Sequence, residues 1–240
     1  MMINDTYTSL DTARRLHVLG DWDQAAALLA GEESSEALEL KAEILYERFL
    51  FRVDGIEAAA DAIAALDAGS LQARLLAARL AYTRLLFQVD PLPGDYDAAE
   101  AGYRFAAADP KTHGWGEFHW GALLDNISED SAAAKAHYAE ALQASYQEGD
   151  VILEAMVLRH LAWHVIGDGD RDEGLRMLRR SLHLRSAAGM RPQVAAAQLL
   201  LASELPVDDP ERATLVEAAR SVADELRLSW VRTGIEKLAA

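Results

Sequence analysis

The stretch "GDYDAAEAGYRFAAADP", residues 94–110, carries the reading on which the fold turns. Gly94 suits the left-handed backbone that ends one helix, and the Asp beside it suits the cap of the next. Ala99, Tyr103 and Ala106 then recur four and three residues apart, which places them on one helical face. Ala99 is small enough to let an antiparallel neighbour approach closely, and Pro110 marks the stop. The same break recurs as "GDWDQA" at 20–25 and "GDRDEG" at 169–174, with Ala25 and Gly174 in the small-residue place.

A longer echo runs through the second half. Residues 129–163 superpose on 169–203 with a shift of 40, so that Asp130 meets Asp170, Leu142 meets Leu182, Gly149 meets Gly189 and Ala155 meets Ala195. Strand signatures are nearly missing, and turn residues punctuate apolar-periodic segments of roughly a dozen to twenty residues, each the length of one helix. These segments predict an all-α chain of six helical hairpins, at 5–31, 34–68, 71–109, 113–147, 150–187 and 191–226, closed by a capping helix at 228–239. One hairpin cannot bury its apolar face alone, so neighbours must stack. No stretch reads as a linker, and residues 1–240 are expected to form one repeat domain.

The pattern resembles the tetratricopeptide repeat (TPR) family. In that family, helix B follows a Gly-Asp-aromatic turn with Ala, an aromatic four residues on, and Ala three further. Ala99, Tyr103, Ala106 and Pro110 match this, as do Ala134, Tyr138 and Ala141 with Ala122 in the preceding helix. Residues 155–182 match more loosely, with Leu178 and Ser181 in place of aromatic and Ala. The spacing of 40 exceeds the family's usual 34. With "LRSAAGMRPQVAA" at 184–196 it is similar to TPR-like proteins of actinobacteria. The resemblance implies a right-handed α-solenoid whose first helices (A) line a concave groove.

Composition narrows the function. A net charge of −16 argues against an electrostatic grip on nucleic acid or an anionic membrane. No apolar run of about 18 residues spans a bilayer. The opening "MMINDTYTSLDTARR" lacks a signal-peptide pattern, and Cys is absent, so a cytoplasmic protein is expected. No phosphate loop, GxSxG elbow or HExxH pair occurs, so neither a cofactor nor catalysis is expected.

What stands out is "LRHLAWH" at 158–164. Leu158, Leu161, Ala162 and Val165 form the packed face, leaving Arg159, His160 and Trp163 toward the groove. The shift of 40 adds His119, Trp120 and Asn126, and the match of "RLAY" at 79–82 to "HLAW" at 160–163 adds Arg79 and Tyr82. Aromatic rings beside cations are what recognition surfaces carry. The expected partner is a protein or peptide segment, including one that presents a carboxylate. The alternative is a small-molecule-binding or metal-dependent enzyme in the groove, in which His160 and His164, four residues apart, share a metal with His119 or Glu117. Arg84 and Asp125 interrupt the apolar face and are expected to pair across neighbouring repeats.

Overall fold

The computed structural model describes residues 8–239, which fold into thirteen α-helices with no strand among them. The helices pair in chain order. The first hairpin is α1 (Ser9–Leu19) and α2 (Trp22–Leu28), and the second is α3 (Ser35–Arg52) and α4 (Ile56–Ala64). Next come α5 (Leu71–Phe87) with α6 (Asp95–Ala108), and α7 (His113–Asn126) with α8 (Ser131–Glu148). The last two are α9 (Val151–Gly167) with α10 (Arg171–Ala187), and α11 (Arg191–Glu204) with α12 (Pro210–Leu226), followed by α13 (Ser229–Ala239). All six predicted hairpins and the final helix are present. Residues 5–7 of the first predicted hairpin, and Ala240 at the end of the predicted domain, lie outside the described residues. No helix among the described residues is long and apolar enough to cross a membrane.

Caps set the helix starts. The side chains of Ser34, Ser70, Asp130 and Asp170 each accept a hydrogen bond from the backbone N–H three residues on, and Asp150 accepts two. Each such bond satisfies a donor that the first turn leaves free. Gly20, at φ 84°, ends α1 as expected. Gly94 differs: α5 has already ended at Phe87, and Gly94 opens α6 instead. Asp95 then folds back to accept from the Leu92 N–H at 2.7 Å.

Small residues fix the spacing within hairpins. Ala99 and Ala134 are fully buried. A Cβ on Gly174 would press on Ile166 and stand 2.9 Å from the Ala162 carbonyl oxygen. Gly121 lies against the Tyr138 ring, where a Cβ would come within 2.9 Å.

Four apolar clusters follow one another along the array, each bridging consecutive hairpins through residues such as Phe49 and Leu76, Tyr103 and Leu123, Tyr138 and Val157, and Leu178 and Leu201. A fifth joins the two ends. Trp22, Leu29 and Ile44 of the first helices share a core with Ala195, Ala219, Leu228 and Val231 of the last. Phe51 is stacked between Trp22 and Trp230, with ring centroids 5.7 and 5.8 Å away. Asp23 accepts from Arg48, Arg52 and Arg227, and Arg52 Nε donates to the Leu226 carbonyl at 3.0 Å. The capping helix therefore does more than cover the last hairpin, because α13 packs on α3 as well as on α11 and α12. The array thus closes on itself, its first helices packed against its last.

Candidate functional site

The inner faces of α5, α7 and α9 carry the polar residues. Near the junction of the ends, His17 Nε2 is 2.8 Å from Glu47 Oε2, and Gln193 Nε2 donates to Glu47 Oε1 at 3.1 Å. Arg79 lies over the Tyr46 ring, 4.4 Å from its centroid, with Nη1 3.7 Å from Glu43. Arg79 is thus engaged toward α3.

Moving along the array, His119 stacks on Tyr103 with ring centroids 5.4 Å apart, beside Trp115 and Phe118. Burial, aided by the charge of Arg79, holds its pKa well below the ordinary histidine value. Tyr82 is buried at its back and accepts from Asn126 Nδ2 at 2.9 Å.

Asn126, Arg159, His160 and Trp163 come together. With Asp125 and Leu200 they line a cleft of about 180 Å³ between α7, α9 and α11. Trp163 is 54% exposed at its mouth. Arg159 Nη2 donates to His160 Nε2. A guanidinium has no acceptor, so His160 must offer its lone pair there and carry its proton on Nδ1. That proton faces Tyr138 Oη at 3.0 Å, and the phenol in turn donates to Asp125 Oδ2 at 3.2 Å. His164 Nε2 reaches the same oxygen at 3.2 Å. Burial, then the neighbouring Arg159, pushes the His160 pKa down to about 3, in keeping with a neutral ring. Burial works to raise the pKa of Asp125, but the imidazoles of His160 and His164 outweigh it and hold the carboxyl below its usual value. A directed chain of hydrogen bonds thus runs from Arg159 to Asp125. Among the described residues Arg159 has no carboxylate partner, and its Nε is buried without a hydrogen bond.

No protein-family model and no curated protein matches the chain.

Trp120 is set apart from the other predicted groove residues. Its ring lies on the far side of α7, 4.3 Å from the His137 ring on α8 and under Arg104 of α6. The reason is a single residue of loop. The starts of α8 and α10, Ser131 and Arg171, differ by 40, whereas the ends of α7 and α9, Asn126 and Gly167, differ by 41. One residue is about 100° of helix rotation. The corrected register pairs Trp120 with Leu161, and His119 with His160, both of them inward-facing histidines with lowered pKa values.

Arg84 and Asp125 form no ion pair with each other. Arg84 lies 3.6 Å from Asp95 in its own hairpin, a carboxylate brought inward by the fold-back at Gly94. Asp125 is taken by Tyr138 and His164. The metal alternative finds both imidazoles engaged: His160 meets Tyr138 through Nδ1 and Arg159 through Nε2, and His164 Nε2 lies 3.2 Å from Asp125 Oδ2. Among the described residues no group of three or more His, Asp or Glu side chains is arranged to hold a metal ion. Asp125 stood out in the sequence only as a break in the apolar face. Tyr138 matched a packing position, and Leu200 gave no signal. A second, shallower depression of about 420 Å³ over Leu142, Tyr146 and Leu161 has no charged group in its lining.

Proposed function

We propose that the chain is a cytoplasmic, TPR-like interaction module, a right-handed solenoid without catalysis of its own, that captures a carboxylate-bearing ligand at the Arg159–Trp163 cleft. The terminal carboxylate of a peptide or protein partner fits this reading. One observation carries it: Arg159 is a guanidinium lining a cleft, without a carboxylate partner of its own among the described residues, next to an exposed indole. A charge removed from water needs a partner, and an incoming carboxylate supplies one by accepting from the paired N–H donors of the guanidinium. The indole and Leu200 add apolar surface at the same place. The Gly-Asp turns, the small residues between paired helices and the sequential cores support the solenoid reading.

The test is calorimetric titration of the full chain with short peptides ending in an apolar residue, each as free acid and as C-terminal amide. The free acids are expected to bind and the amides to bind about tenfold or more weakly. Arg159→Ala is expected to lower affinity more at low salt than at high salt, because added ions already screen part of the charge's attraction. Trp163→Ala is expected to lower it at any salt. Equal binding of acids and amides, or an unaltered affinity in both variants, overturns the assignment.

A further inference from the structure

The cleft holds two opposite charges that do not neutralise each other. Arg159 sits on the Nε2 side of the His160 ring, and Asp125 lies on the Nδ1 side, 4.0 Å from that nitrogen. The imidazole is a rigid spacer between guanidinium and carboxylate. On the Arg159 side, Nη2 alone is used among the described residues. On the other side, Asp125 receives its hydrogen bonds from the described residues at Oδ2, with none from them at Oδ1. Asn126 commits its Nδ2 to Tyr82 and to the Ala122 carbonyl, leaving its own carbonyl oxygen open. One end of the cleft thus offers spare N–H donors and positive charge. The other offers two spare acceptors, one of them charged. Trp163 and Leu200 supply the apolar wall.

Size narrows the occupant. At about 180 Å³ the cleft is well below the roughly 300–1,000 Å³ of sites that take drug-sized ligands. It has room for one residue, not for a length of chain.

We infer that the cleft is a receptor for a free α-amino acid with an apolar side chain: its carboxylate meets Arg159, its ammonium meets Asp125 and Asn126, and its side chain lies against Trp163 and Leu200. This names the ligand class of the carboxylate-capture site and rests on that reading. A peptide C-terminus answers only half of the site, because its last nitrogen is a neutral amide facing the Asp125 carboxylate. A free amino acid carries both charges on one carbon and answers both halves. The exposed indole at the mouth allows for differences in side-chain length, so selection falls on the zwitterion and on apolar character.

The experiment titrates the full chain with L-leucine, L-methionine and L-phenylalanine, each also as its N-acetyl derivative and as its amide. At least one free amino acid is expected to bind about tenfold or more tightly than both of its derivatives, since each derivative loses one charge-assisted hydrogen-bonding end. Asp125→Asn is expected to weaken binding of the free amino acid by more than that of its N-acetyl compound, so that the preference between the two shrinks. Arg159→Gln is expected to weaken both. Asp125 also anchors Tyr138 and His164, so circular dichroism accompanies its variant; the derivative series on the wild-type chain decides the matter even where that variant unfolds. N-acetyl compounds binding as tightly as the free amino acids overturn the zwitterion inference and leave carboxylate capture standing. Absence of binding by every free amino acid, with peptide free acids still bound, does the same. If neither amino acids nor peptide free acids bind, both fall.

Discussion

His17 and His160 are buried imidazoles with opposite fates. Burial lowers the basicity of His17, but the charge and hydrogen bond of Glu47 more than offset it, and its pKa stands above the ordinary value. Its contribution to stability is therefore fully present below the unfolded pKa of about 6.5 and is lost as pH rises through the folded value. His160 has no such compensation, and its pKa falls to about 3. As pH drops below about 6.5 the unfolded chain takes up a proton that the folded chain refuses, so stability declines toward that lower value. Each group contributes a slope of at most about 1.4 kcal/mol per pH unit. His17→Gln is expected to be more damaging at pH 6 than at pH 9, and His160→Asn to flatten the acid limb between pH 6 and 4. Urea denaturation across pH measures both. Asp125→Ala removes the carboxylate that Tyr138 Oη and His164 Nε2 both face and is expected to cost about 1–3 kcal/mol by the same method. A neutral result there means that water replaces the carboxylate and that the chain of hydrogen bonds does not depend on it.

At the scale of the helix, spacing depends on what has no side chain to spare. Ala134 is fully buried with the α7 backbone at Gly121 and the Tyr138 ring close by. Ala134→Leu is expected to cost about 1–3 kcal/mol through overpacking, read as a lowered melting temperature. Helix limits were legible in the sequence because Ser34, Ser70, Asp130, Asp150 and Asp170 announce starts through local hydrogen bonds. Which way a helix faces was less so. The loop from Ile127 to Asp130 is one residue longer than that from Asp168 to Asp170, and this turned Trp120 outward while His119 stayed inside. Pairing of Arg84 went to Asp95 because of a turn whose shape depends on Gly94, a local detail that periodicity does not encode. Four of the eight predicted groove residues share the cleft, since Arg159, His160 and Trp163 lie on one helix face and Asn126 reaches it from the helix beside.

The whole molecule is shaped by the meeting of its ends. Nothing in a repeat pattern foretells that Trp22 and Trp230 will sandwich Phe51, because residues so distant in sequence share no period. Trp230→Ala is expected to cost about 3 kcal/mol, as large-to-small changes at such contacts do. Asp23→Ala leaves the buried Arg52 with the Leu226 carbonyl but without its carboxylate and is expected to cost about 1–3 kcal/mol. Thermal melts of the two variants compare the terms directly, and a larger loss for Asp23→Ala would put electrostatics ahead of stacking at the junction.

An open array of repeats can lose a terminal unit and keep the rest, since each unit leans only on its neighbours. Here α1 and α13 both lie against α11, so every hairpin has a neighbour on each side. The spatial order is cyclic although the chain is linear. A circular permutant is then a natural form of the same molecule: joined from α13 to α1 and opened between α11 and α12, where Val207 is 86% exposed, it keeps the helix neighbours that the closed array provides. The closing contacts, such as Asp23 with Arg227 across 204 positions, would draw much closer in sequence in that chain, and the pairing of α11 with α12 would become the contact that joins its ends.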